Sequence, residues 1–365
     1  MLEFNSSPGP TIGVELELQL IHSETCHLLN IAPEVLKRVD QKYRQKIKEE
    51  FLKSMIEINT GICETVSEVE QDLRESLEYL EEILKPFDAT FFSASLHPFA
   101  RGSRQSVTDN PRYKQIMEDL QIVGRRFIAQ GLHVHIGVKG AEEAIQITNT
   151  IRVYLPLLLA LTTSSPFYEG ERTGLLSYRT KLFEALPRSG MPEYIEGWHG
   201  FNHLVLMLMK AGYIETVKDL WWDVRPHPEF GTVEIRICDI PCRFRDILAI
   251  AAFVQSIVVH ISSLPQHPKT YIQIHRANKW QAARYGLDGV FANPVSSGVH
   301  PVRDAIFDLL KIIQNNADSL GCSRYLRYVE KILEEGTGAH RQLELFQQTS
   351  DLRRVIKTIQ GEFFL

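Results

Sequence analysis

The sequence predicts an α+β fold, an antiparallel sheet with helices packed on one of its faces. Three observations lead there. Segments with strict period-2 alternation are scattered among helical ones, without the regular strand–helix alternation of a doubly wound fold. Each clear strand pairs an aliphatic face with a polar one, as expected where one side of a sheet is buried. From residue 243 onward the pattern is helical, with breaks at 265–268 and 286–301. With no internal repeat or linker, the 365 residues read as one domain: a sheet-bearing core over 1–242 and a helical layer over 243–365.

The first strand spans Thr11–Ile21, where Ile12, Val14, Leu16, Leu18 and Leu20 alternate with Gly13, Glu15, Glu17 and Gln19. Residues 33–53 look helical, and MIEIN then places Ile56 and Ile58 opposite Glu57 and Asn59. A helix over 67–86 has Ser67 and Glu70 as its capping pair and Val69, Leu73, Leu77, Leu80 and Leu84 on one face. FFSASLHP is a strand candidate, and a helix runs from Pro111 to about Gln130. GLHVHIGV (131–138) sets Val134, Ile136 and Val138 against His133, His135 and Gly137. An apolar helix covers 141–162, with a kink or split at Pro156. FGTVEIRICDIP sets Val233, Ile235 and Ile237 against Thr232, Glu234, Arg236 and Cys238.

The bulk composition narrows the function classes. A net charge of -5 argues against a general nucleic-acid binder. Five cysteines, few and odd in number, suit reduced thiols, and no signal-peptide pattern opens the chain, so the expectation is a cytoplasmic protein. The apolar stretch 247–264 contains Gln255, Ser256 and His260 and reads as a buried helix rather than a membrane span. The long apolar helices leave room for a homo-oligomer.

The chemistry lies in what the polar faces hold. Any one Glu-x-Glu or His-x-His is more often a wet surface pair than a ligand pair. Taken together, the four strands carry Glu15, Glu17, Glu57 and Glu234, two imidazoles (His133, His135) and Arg236, with no lysine, and Glu64 follows seven residues after Glu57. Carboxylates crowded on one face repel, and a divalent cation is the usual way to hold them together. Oxygen ligands with one or two imidazoles suit Mg²⁺ or Mn²⁺, a metal that normally works on phosphates. Arg236, two residues from Glu234, is placed to neutralise a transferring phosphoryl group. No G-x-x-x-x-G-K-[ST] loop is present, so this is not a P-loop enzyme.

In order along the chain, TIGVELELQLI, MIEINTGICE, TDNPRY, GLHVHIGV, SSPFYEG, SYRTKLFEALPRSGMP and RPHPEFGTVEIRICDIP resemble the carboxylate–amine ligase family, the type 2 glutamate–cysteine ligase-like proteins of the glutamine synthetase superfamily. The resemblance covers about residues 11–262. It implies a glutamine synthetase catalytic-domain-like fold and a ligase with ATP as co-substrate. Such an enzyme activates the side-chain carboxylate of glutamate as a γ-glutamyl phosphate and transfers it to an amine such as cysteine.

By the same resemblance, Glu17, Glu57 and Glu64 ligate a metal near the amino acid, and Glu15, His133 and Glu234 a metal bridging the ATP phosphates. Arg236 contacts phosphate and His135 lies near one. Arg225 and Arg179 contact nucleotide or glutamate, with Arg225 and Arg236 as the catalytic pair. Trp221 and Trp222 are expected to pack, and Cys63 to be a small buried thiol. Loops 100–110 and 286–300 are expected to close over substrate. Two other readings stay open: a ligase or guanidino-type kinase of the superfamily with another acceptor, and a nucleotide-binding regulatory protein with little turnover.

Overall fold

The computed structural model describes residues 2–365. Seven strands form one antiparallel sheet: β1 (Ile12–His22), β2 (Ile47–Glu49), β3 (Met55–Asn59), β4 (Ala89–Phe92), β5 (Leu132–Gly137), β6 (Val224–His227) and β7 (Thr232–Ile235). Their spatial order is β6-β7-β5-β1-β3-β2, with β4 beside the second half of β1. The long strand β1 is central because its five alternating aliphatic side chains need cover along its whole length. Ile12, Val14, Leu16, Leu18 and Leu20 are all buried.

That aliphatic face is covered by α1 (Val66–Leu84), α3 (Ala141–Ile151) and α5 (Phe244–Ser262), with α4 (Leu155–Thr162) packed against α5, while α2 (Pro111–Leu120) lies on the other side. In α1, Val69, Leu73, Leu77, Leu80 and Leu84 recur at helical spacing and all are buried. Helix α5 is long and apolar enough to cross a membrane, yet most of it is enclosed by the fold. One core cluster extends from Ile12 to Phe363, so the helices after 262 pack into the same interior as the sheet.

Several elements differ from expectation. Residues 33–53 hold only a short helix (Ala32–Leu36), a 3-10 turn and the edge strand β2, whose Ile47 is buried against β3 while Lys48 and Glu49 are exposed, Lys48 at the wall of the cavity described below. Helix α1 is capped two residues earlier than Ser67 and Glu70 suggest: the Thr65 side chain accepts from Glu68 N. FFSASLHP pairs only through Phe91 and Phe92, and its Ser93–His97 stretch is a buried loop.

Helix α2 stops at Leu120 because Gln121 has a positive φ of 51°. The 141–162 segment splits into α3 and α4, bent by 64°, with Pro156 in the first turn of α4. Strand β6, Val-Arg-Pro-His, was not expected, since a proline removes a ladder donor. It is tolerated because β6 is the sheet edge. The break at 286–301 contains a small hairpin, Val290–Ala292 with Val299–Pro301.

Leu77 is fully buried between α1 and the sheet. Leu77→Ala is expected to cost about 2–5 kcal/mol, read as a lower urea midpoint at unchanged slope. A loss far below that range would show that α1 does not seal the core.

Candidate active site

The register of the sheet builds the site. Directly opposed residues on antiparallel strands share a face, so each pairing brings two side chains together. Glu15 lies opposite His133 and Asn59, Glu17 opposite Glu57, and Glu234 opposite both His135 and Arg225. All but Asn59 line a cavity of about 310 Å³ on the side away from the aliphatic core.

One cluster is Glu15, His133 and Glu234, each offering a ligand atom within 4.8 Å of the others. His133 Nδ1 is 3.1 Å from Glu15 Oε2, and Arg236 Nη1 approaches the same nitrogen at 3.5 Å. His135 Nε2 lies 3.2 Å from Glu15 Oε1, too misaligned for a hydrogen bond, while Thr232 Oγ1 holds its Nδ1 at 3.1 Å. Arg225 donates to Glu234 Oε2 from Nε at 2.9 Å, and Arg236 is bonded to Oε1.

Burial alone would raise both carboxyls. For Glu15 the two imidazoles outweigh it, and for Glu234 the two guanidiniums and His135 do, so both are held well below the usual range. This half of the face balances its own charge.

The second cluster does not. Glu17, Glu50 and Glu57 also offer ligand atoms within 4.8 Å of one another. Apart from His133 Nε2, 3.9 Å from Glu17 Oε1, no cationic side chain among the described residues reaches ion-pair distance of them. Burial and the charges of Glu15 and Glu17 push Glu57 up to about 8, against a 2.6 Å hydrogen bond from Asn59. Burial with Glu17 and Glu57 pushes Glu50 well up too. Three facing carboxylates in this state fit a bound cation, as does the buried His133 Nε2, which has no hydrogen-bond partner.

Two expected members stand elsewhere. Glu64 is exposed and outside the cavity: Cys63 bridges to Ile12 at the start of β1, which carries the chain past the end of the site. Glu50, in the loop between β2 and β3, occupies the third place instead. Sequence reasoning missed it because FLKS between the strands carries no Gly, Pro or Asn turn signal.

Arg179 does not line the cavity. Its guanidinium donates to the carbonyls of Arg236 and Ile237, each at 3.2 Å, beneath β5, where a Cβ on Gly131 would come within 2.4 Å of Nη2. Arg225 does line it, yet its Nη1 also binds the carbonyls of Lys218 and Leu220 at 2.8 and 2.9 Å. Most of its donors therefore hold Glu234 and the 217–220 turn, which makes it a positioning group more than a free anion contact.

Trp222 packs near Phe201, whereas Trp221 faces the cavity. Cys63 is buried and its thiol is pushed up to about 11 by that burial, so it is no nucleophile. Neither 100–110 nor 286–300 lines the cavity. Its mouth is walled by α2 through Arg112, Tyr113, Ile116 and Leu120, and Arg112 is tied to Asp219 at 2.8 Å.

The sequence profile of Glutamate-cysteine ligase family 2 (GCS2) matches residues 11–358. A Gloeobacter violaceus protein provisionally named glutamate–cysteine ligase 2 is 39% identical over 366 residues, 99% of this chain and 98% of its own. A Mycobacterium tuberculosis protein of the same provisional name is 37% identical over 372 residues, 100% of this chain and 98% of its own. Among solved structures, the glutamate–cysteine ligase of Francisella tularensis in complex with AMP aligns with a TM-score of 0.73 at 14% identity, covering 99% of this chain and 90% of that one. A bifunctional glutathione synthetase from Pasteurella multocida gives 0.70 at 15% identity, over 97% of this chain and 52% of that one. At such identities the structural likeness is one of fold, and it bears out the α+β architecture.

The uncompensated cluster has a thermodynamic signature. Between about pH 4.5 and 8 the folded protein keeps a proton on Glu57 that the unfolded chain has released, so stability falls as pH rises through that window. His135, raised from 6.5 by Glu15 and Glu234 against its burial, acts in the same direction. Without divalent metal, Tm is expected to drop from pH 7 to 9, and millimolar Mg²⁺ to raise it more at pH 9 than at pH 7. A Mg²⁺ shift independent of pH would count against the carboxylate cluster as the binding site.

Proposed function

The chain belongs to glutamate–cysteine ligase family 2, and from that premise we propose an ATP-dependent ligase joining the γ-carboxylate of glutamate to the amine of cysteine. One observation carries the reading: two carboxylate clusters lie side by side on a single sheet face, one neutralised by arginine and histidine and the other lacking a counter-charge. This arrangement supports a phosphoryl-transfer site with a neighbouring carboxylate-activation site.

A carboxylate is a poor electrophile at neutral pH. In the first step a γ-carboxylate oxygen of glutamate attacks the γ-phosphorus of ATP, the bond to the bridging oxygen breaks, and ADP leaves. In the second the neutral amine, having lost its ammonium proton, attacks the acyl carbon. The carbon–oxygen bond to phosphate breaks, and the γ-glutamyl amide and inorganic phosphate are released. Both steps concentrate negative charge on phosphoryl oxygens.

Magnesium or manganese, held by Glu15, His133 and Glu234 on the phosphate side and by Glu17, Glu50 and Glu57 on the amino-acid side, supplies charge neutralisation and Lewis acidity there when bound. Arg236 lines the cavity with its Nε unpartnered, free to bind a phosphoryl oxygen. Arg225 fixes the Glu234 carboxylate, and Thr232 and Glu15 orient His135 beside it.

Purified protein with ATP, Mg²⁺ and glutamate is expected to form ADP and a γ-glutamyl dipeptide in a cysteine-dependent manner, read by coupled assay and product mass. ADP formation that ignores cysteine but responds to another amine would move the acceptor. Glu57→Gln, Glu50→Gln and Glu234→Gln should each cut turnover on the order of a hundredfold or more, while Glu64→Gln stays close to the parent rate. A loss at Glu64 with none at Glu50 would overturn the cluster read here.

A further inference from the structure

One aromatic side chain in the cavity is placed for work that the ligand clusters do not explain. Phe230 sits in the turn between β6 and β7 and lines the cavity with 52% of its surface open. A half-exposed phenylalanine alone means little. This one is rigidly backed: the ring of His227, itself buried, stacks on one face at 4.0 Å and 13° between planes. His227 Nδ1 also accepts a hydrogen bond from Phe230 N at 3.3 Å. Burial pushes His227 down to about 4, so the stack is neutral at physiological pH.

The turn itself needs glycine. Gly231 has φ +67°, and a Cβ there would come within 1.8 Å of the Asn5 carbonyl oxygen, which packs against the turn. Phe230 is thus held where it stands.

Its position relative to the charged cluster matters most. The His135 ring centroid is 5.8 Å from that of Phe230, and His135 Nε2 lies 3.2 Å from Glu15 and 3.9 Å from Glu234. Phe230 therefore lies one ring beyond His135 on the way from the cluster toward the cavity rim. A nucleoside triphosphate with its phosphates at the cluster can lay its base over that open ring. We propose that Phe230 is the stacking platform for the nucleotide base, a role that rests on the ATP reading above.

The other aromatic candidate, Trp221, already has the Arg188 guanidinium over its ring at 5.0 Å. Over Phe230 the comparable group is Lys218 Nζ, 5.5 Å from the centroid and paired with Glu229 at 2.9 Å, a loose contact on an exposed chain that a base displaces. A phenyl face offers no edge hydrogen bonds, so the platform reads stacking area and discriminates weakly between purines.

Equilibrium binding separates base from phosphates. Mg·ATP and Mg·tripolyphosphate, which has no base, are titrated into the full chain and into Phe230→Ala and Phe230→Trp, with folding checked by melting temperature. Phe230→Ala is expected to weaken Mg·ATP roughly tenfold, the range of one lost base stack, and to leave tripolyphosphate unchanged. Phe230→Trp restores ATP binding. Equal loss for both ligands would mean that Phe230 only props the cluster through His227, and no loss for either would place the base elsewhere. Both overturn the platform. A parent protein that binds neither ligand removes the nucleotide reading itself, and the platform with it.

Discussion

Everything in this structure answers to one electrostatic problem: four carboxylates on the polar face of one sheet, with a fifth delivered by the β2–β3 loop. Glu15, Glu17, Glu57 and Glu234 are brought together by β-register, and Glu50 joins Glu17 and Glu57 from the loop. The side chain of Glu49, next to it, instead accepts a hydrogen bond from Asn110 outside the cavity. Like charges this close cannot all ionise in a partly buried face without compensation. The protein resolves the problem differently on its two sides. Beside Glu15 and Glu234 it supplies Arg225, Arg236, His133 and His135, and both carboxyls stay ionised. Around Glu57 it supplies almost nothing, and burial with the charges of Glu15 and Glu17 pushes that carboxyl up to about 8.

The aliphatic side of the sheet makes this affordable. Helices α1, α3 and α5 seal the opposite face with fully buried side chains, so the strands are held in register by packing rather than by the groups in the site. A one-residue slip of β1 would move Glu15 and Glu17 into that core and Ile12 through Leu20 into the cavity. The register that protects the core is therefore the one that assembles the site. Behind the site, Arg179 bonded to the carbonyls of Arg236 and Ile237, and Asp239 accepting from Ser165 and Ser177, continue the support below the strand ends.

Legibility followed periodicity. Glu15, Glu17, Glu57, His133, His135, Glu234 and Arg236 were readable because each sits in a segment whose aliphatic residues alternate without interruption, and the structure gathers all seven around one cavity. Glu50 was not, since it lies in a connection with no turn signature and its neighbours mimic a helix. Glu64 was misplaced because residues seven apart share no face once the chain leaves β3 at Asn59 and bridges to Ile12 through Cys63. Strand β6 was hidden by its proline, although it carries the arginine that clamps Glu234.

By itself, the sequence determined the fold class, the aliphatic and polar faces of the strands, and the residues that the polar face presents, because a period of two is a local property of the backbone. Tertiary structure alone decided which carboxylates meet. Their grouping depends on strand order, on where β1 is bridged, and on a loop that folds back over the face, and those are contacts between residues far apart in the chain. The same holds for Phe230: an exposed phenylalanine in sequence, it becomes a platform only when His227 stacks behind it and His135 joins it to the cluster.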